Sequence, residues 1–381
     1  MRAKTMEFFD AVPSQAQLWA KEAKEQGRKI VGTYCVFSPI ELIEAAGAIP
    51  VGLCSTKLEP IAEAEKVLPR NLCPLIKSSF GFAVSGKCPY FVLSDAVLAE
   101  TTCDGKKKMY EIMQTYKPML VLDIPNTTTG EDYLDKWVRA IYQAKEYFEA
   151  LFNTEITAEN LSRVIKEHNE ERRLMMELAA LNQNDPAPLA GTDLLKVLWG
   201  RNFRFRSAEY LDKTRELITE IKEMMKKGEI SAAPGRPRIL VTGCPTGSGQ
   251  EKVLNIIEES GGSVLIQESC SGIKPCVHLV DEQKDPFVAL AEKYAQTPCS
   301  VLSPNTGRMD LLSRLVEDYK VDGVVDITLQ FCHTYNIESV LVKEHLQKKH
   351  NVPLLQIETD YSSSDTQQIK LRVEAFLEML K

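Results

Sequence analysis

The chain has 381 residues, 44% hydrophobic and 26% charged, the balance of a globular protein large enough for two ordinary domains. Its net charge of −7, from 46 basic and 53 acidic residues, argues against nucleic acid as the main partner, because no basic excess exists to neutralise phosphates. No apolar run reaches the length of a membrane span, and the opening stretch MRAKTMEFFDAVPSQ carries charges where a secretory leader needs apolar residues, so the expected location is the cytoplasm.

Short apolar runs of strand character alternate with helical stretches, which predicts an α/β fold with mainly parallel sheets. In chain order the expected strands lie near Ile30–Tyr34, Ile49–Leu53, Ala96–Glu100 and Met119–Asp123, then near Arg238–Thr242, Val264–Glu268, Gly323–Thr328 and Pro353–Ile357. A long helical region, roughly 131–228, separates the two sets, and the turn-rich SAAPGRPR at 231–238 precedes the second. Each half therefore reads as four strands with crossover helices. The expected division is an N-terminal α/β domain with a helical extension, 1–190, and a C-terminal α/β domain, 191–381.

Ten cysteines call for an explanation. Disulfides are disfavoured in a reducing compartment. No CxxC occurs, which removes the zinc-ribbon, thioredoxin-like and ferredoxin readings. Any cluster must draw on cysteines distant in sequence. In open parallel sheets, ligands bind beyond the carboxyl ends of the strands, and the cysteines fall there repeatedly. Cys35 follows the first strand, Cys54 the second and Cys103 the third. Cys244, Cys270 and Cys332 follow the first three strands of the second half. Cys73 precedes a helix-like segment.

A helix N-terminus beside a strand end offers free N–H groups and a positive dipole end, which lower thiol pKa values and donate hydrogen bonds to sulfur. Ser38, Pro39 and Glu41 read as a capping box with Pro at the first helical position. Asp104 reads as the cap of the next helix. A single cysteine is more often a buried structural thiol, and Cys88, Cys276 and Cys299 are read as core thiols or neighbours of the ligands. Five or six at equivalent strand ends favour ligation.

Other motifs are weaker. TGCPTGSGQEK has the strand, Gly-rich turn and helix of a phosphate loop but lacks the GK[ST] ending, and Lys252 falls too late. Lys106, Lys107 and Lys108 read as a solvated helix face. His333 is a candidate proton relay. Glu358, Asp360 and Tyr361 follow the last strand as acid/base groups or helix caps. Lys77 and Ser78 are candidate hydrogen-bond donors at a cluster.

Together GTYCVFSPIELIEAAGAIPVGLCST, LPRNLCPLIKSSFGF, KCPYFVLSDAVLAETTCDGKKKMYE, ILVTGCPTG, VDGVVDITLQFCHTY and IETDYSSSD resemble the 2-hydroxyacyl-CoA dehydratase / benzoyl-CoA reductase family, most closely its double-cubane branch. The resemblance implies two Rossmann-like domains with a cluster between them. It also implies an ATP-hydrolysing iron–sulfur activator that delivers low-potential electrons. By motif, the three cysteines that hold one [4Fe–4S] cluster in dehydratase subunits match Cys73, Cys103 and Cys332. The double-cubane branch binds an [8Fe–9S] cluster and implies six thiolates. Cys35, Cys244 and Cys270 are the best additions, giving three per domain, with Cys54 in reserve. Dehydratases are heterodimers that need a coenzyme A pocket, and nothing in the sequence marks one, so a homodimer is expected. The expected activity is anaerobic reduction of a small molecule. The alternatives are a dehydratase subunit with a single cubane and a non-catalytic electron carrier.

Overall fold

The computed structural model describes residues 2–230 and 233–381. The first two residues of the turn-rich stretch at 231–238, and Met1 of the opening stretch, lie outside the described residues.

Among the described residues eight strands form two four-stranded sheets. Strands β1 (Ile30–Thr33), β2 (Ile49–Gly52), β3 (Ala96–Glu100) and β4 (Met119–Leu122) make the first. Strands β5 (Arg238–Gly243), β6 (Ser263–Glu268), β7 (Gly323–Leu329) and β8 (Leu354–Thr359) make the second. All pairings are parallel. The spatial orders, β2-β1-β3-β4 and β6-β5-β7-β8, are the same plan used twice. The α/β architecture with two parallel sheets is thus the one the alternating pattern predicts, and each strand lies within a residue or two of its expected position.

The physical reason is burial. Strands β1, β3 and β7 are covered on both faces and are apolar along most of their length, as central parallel strands must be. Helices pack on both sides. The long intervening region supplies three of the longest, Tyr133–Phe152, Ala158–Ala180 and Ser207–Lys227.

These helices also join the halves. Tyr133–Phe152 lies against Pro286–Ala295 of the second half, and the Tyr133 hydroxyl donates to Ala295 O at 2.7 Å. Asn169 Nδ2 donates to Val280 O at 2.8 Å. Asn182 Nδ2 donates to Leu265 O at 3.0 Å. Phe37 and Tyr294 both stack on the buried Trp137. Among the described residues no helix is long and apolar enough to cross a membrane.

Three turns take unusual backbone geometry. Gly243, at φ 105°, ends β5; a Cβ there would come 2.2 Å from Ile327 O. Only glycine lets the chain leave β5 against β7 and reach Cys244. Cys35 and Phe331 take left-handed φ values of 79° and 61° without being glycine. Among the described residues the other non-glycine positions with positive φ close helices, whereas these two set the cysteine loops after β1 and β7.

Candidate functional site

The carboxyl ends of the two sheets face each other, and the cysteines lie between them. Cys73, Cys103 and Cys332 each occupy the N-cap position of a helix: Pro74–Val84, Asp104–Met113 and His333–His350. Cys88 caps a fourth, short helix, Pro89–Leu93, and accepts from Phe91 N at 3.4 Å. The remaining candidates follow strand ends.

The sulfurs form two groups, each drawing on both halves. In one, Cys332 exchanges thiol hydrogen bonds with Cys73 and Cys244. The Cys332 thiol is held well below its ordinary range by these two neighbours, the Tyr335 N–H and Thr334, while Cys73 and Cys244 are pushed up. One thiolate shared by two thiols explains both directions, and the helix N-terminus favours Cys332 as its holder. Cys244 Sγ also accepts from Leu329 N at 3.4 Å. In the other group, Cys35 and Cys270 are hydrogen-bonded; Cys270 is lowered and Cys35 raised. Cys103 feels both Cys332 and Cys35 and so lies between the groups.

Buried cations serve this cluster of sulfur. Lys106, read from sequence as part of a solvated face, is buried, with Cys54 Sγ 4.0 Å from its Nζ and Cys35 and Cys103 nearby. Only Lys107 and Lys108 stay in solvent. The correction follows from helix periodicity: the first turn after Cys103 aims Lys106 into the cleft. Lys274, beneath Cys270, pairs with Glu268 at 2.9 Å and donates to Tyr335 Oη at 3.0 Å. Arg308 completes that network through Glu268, Glu338 and Thr242.

The predicted capping box does not form. Its helix runs Ile40–Ala45 with Pro39 at the cap and no side-chain cap bond. Ser38 instead donates to Glu100 and to Tyr34 O. Glu41 is fully buried and bonds Arg172 and Tyr294. Charged partners in the core outcompete exposed backbone N–H groups. Asp104 is the first residue of its helix rather than its cap.

The other sequence candidates fall in varied places. Lys77 Nζ bonds Glu65 at 2.9 Å and Arg70 O at 2.8 Å, which ties it into local structure. Ser78 donates to Lys57 O at 2.6 Å. His333 and Glu358 are exposed. Asp360 accepts from Ser362 N at 2.7 Å. Tyr361 is buried, and its hydroxyl has no partner among the described residues, with Cys73, Cys244, Cys54 and Cys332 around it. Glu100 and Glu268 were missed; each is a lone carboxylate at the buried end of an otherwise apolar strand, a signal present in AVLAE and SVLIQE.

A cavity of about 130 Å³ opens beside Cys35, Cys54 and Cys270, with Trp199, Arg201 and Lys293 on its wall. Among the described residues, no group of three His, Cys, Asp or Glu side chains converges closely enough for a single metal ion.

Comparisons with known proteins place the chain in a family. Residues 35–380 match the model of the 2-hydroxyglutaryl-CoA dehydratase D-component family. The chain is 47% identical over 363 residues to "Putative dehydratase subunit YjiM" of Escherichia coli (strain K12), covering 95% of this chain and 94% of that protein. It is 25% identical to the (R)-phenyllactyl-CoA dehydratase beta subunit of Clostridium sporogenes, over 98% of each chain. It is 21% identical to one of the benzoyl-CoA reductase subunits of Thauera aromatica, over 96% of this chain and 94% of that one. Matched from its first cleft cysteine to its last helix, the chain belongs to the 2-hydroxyglutaryl-CoA dehydratase D-component family, whose relatives include dehydratase and benzoyl-CoA reductase subunits.

Proposed function

We propose that this protein is an iron–sulfur reductase that holds a double-cubane [8Fe–9S] cluster in the cleft and acts on a small molecule. The observation that supports this is the gathering of six cysteines from both sheets, Cys73, Cys244 and Cys332 in one group, Cys35 and Cys270 in another, and Cys103 between them. A polynuclear cluster spreads its thiolates over several irons and does not need three side chains meeting at one point. The donor set fits such a group. It is all sulfur, Lys106 and Lys274 place positive charge against an anionic cofactor, and the unpartnered Tyr361 hydroxyl offers it a hydrogen bond.

When bound, such a cluster supplies single electrons at low potential. The chain's own residues do the rest. The cysteines hold the irons, and the Cys35 and Phe331 turns fix the sulfurs. We assign the electron supply to a separate ATP-hydrolysing iron–sulfur activator, and the active form to a cytoplasmic homodimer. An exposed apolar face supports the second protomer: Ile337, Val340 and Leu341 are more than half exposed on one side of the helix that Cys332 caps.

A second reading is a dehydratase subunit with one [4Fe–4S] cluster on Cys73, Cys103 and Cys332. It is favoured by the N-cap position those three share. Iron and sulfide analysis of anaerobically purified protein separates the two. About eight irons per chain fit the first reading and about four the second. Turnover with activator and ATP separates both from a plain electron carrier.

A further inference from the structure

The cavity beside Cys35 and Cys270 continues into a group of charged side chains that the thiols do not use. Glu41, Glu44 and Glu171 contribute carboxylates there, and Arg172, Arg201, Arg204 and Lys293 contribute cations. The carboxylates are already taken. Glu41 binds Arg172 and the Tyr294 hydroxyl. Glu44 and Glu171 both bind Arg204. Arg201 Nη1 reaches Glu171 Oε1 only at 3.6 Å. His168, whose Nε2 is 2.9 Å from Glu44 Oε2, can only add positive charge.

One cation of this group is therefore left over. Lys293 is 5% exposed and makes no hydrogen bond or ion pair among the described residues; Glu41, already bound by Arg172 and Tyr294, acts on it only from beyond ion-pair distance, and its Nζ lies 3.8 Å from the centroid of the Tyr294 ring. Arg201 Nε is buried and also without a partner among them. Both side chains line the cavity. Burial and the neighbouring arginines lower the Lys293 pKa to about 7, so it would gain from a negative charge beside it. A buried cation without an ion-pair partner of its own, next to a buried N–H without an acceptor, is an arrangement that a ligand completes.

We infer that this cavity is a binding site for a small anion, a carboxylate or inorganic oxyanion, held by Lys293 and Arg201 beside Cys35 and Cys270. The volume of about 130 Å³ is close to the roughly 150 Å³ of a cavity that holds benzene, so it admits an anion of a few heavy atoms. Calling this anion the substrate rests on the redox site proposed above; its binding does not.

Calorimetric titration of the anaerobically purified full chain tests the inference, with acetate, nitrate and neutral acetamide as probes. Saturable binding of acetate or nitrate, but not acetamide, is expected, and whichever binds tells carboxylate from oxyanion. Lys293→Met should weaken binding at least tenfold and raise the melting temperature, since it removes an unpaired buried charge. Arg201→Gln should weaken binding independently if the first variant folds poorly. No saturable binding of either anion, or binding untouched by both variants, overturns the site. Iron content of the same preparation judges the cluster separately: low iron with anion binding intact counts against the cluster alone.

Discussion

Lys274 and Glu268 form an ion pair at 2.9 Å with neither side chain exposed to solvent, directly under the loop that carries Cys270. Arg308, equally buried, reaches the other Glu268 oxygen at 3.2 Å. One carboxylate thus holds two cations at the end of β6, where the chain turns into the cleft.

Glu268→Gln should be severely destabilising for this reason. It leaves Lys274 and Arg308 buried with a neutral amide between them, and breaking a buried pair from one side costs about 3–5 kcal/mol. Denaturant unfolding followed by far-UV circular dichroism measures the loss. A change below about 1 kcal/mol would mean the cations find compensation elsewhere.

The cysteine groups make separate predictions. Cys244→Ala and Cys270→Ala each remove one thiolate from a different group, and each should lose or convert roughly half of the iron in anaerobically purified protein. Cys276→Ala should keep the full iron content, because Cys276 lies buried among Arg172, Arg201 and Glu171 rather than with the six. Retention of all the iron in either of the first two variants would remove that residue from the ligand set.

Glu258 gives a pH-dependent stability. Burial pushes its carboxyl up to about 7, from an ordinary 4.5, although the Gly191 N–H donates to it at 2.6 Å. Between those two values the folded protein keeps a proton that the unfolded chain has released. This contribution to stability therefore falls as pH rises from about 4.5 to about 7 and stays low above that, a span on the order of 3 kcal/mol. Glu258→Gln keeps an acceptor for Gly191 and should stabilise the protein at pH 8 more than at pH 5. Urea midpoints for both proteins at the two pH values check the sign.

The apolar face on the helix His333–His350 bears on assembly. Ile337 is 70% exposed and Leu341 60% exposed, one turn apart. Ile337→Glu with Leu341→Glu places two charges on that face and should convert the proposed homodimer to a monomer without unfolding it. Sedimentation velocity reads the outcome. An unchanged dimer would place the interface elsewhere.

Much of the fold was legible because strand burial writes itself into composition. GVVDITL and AVLAE are apolar enough to be central strands whatever surrounds them. The cysteine positions at strand ends were legible for the same reason, since the ends of the strands were. Their grouping was not. The sequence suggests three cysteines from each half, but Cys73 lies with Cys332 and Cys35 with Cys270 because the two sheets face each other, a relation no local pattern encodes. Lys106, Glu41 and Lys293 were missed or misread likewise. Charged residues on short helices look solvated until the partners that bury them, such as Arg172 from a distant helix, are known.

The contacts between Cys35 and Cys270 and between Cys73 and Cys332 have a consequence for how the protein matures. The ribosome releases residues 30–122 well before 238–359, so the early half emerges with only part of a ligand set. For the cluster proposed above, iron delivery would have to wait until the later sheet is made and docked. A chain truncated before Cys244 would offer iron no complete site, so loading would itself verify that synthesis had finished.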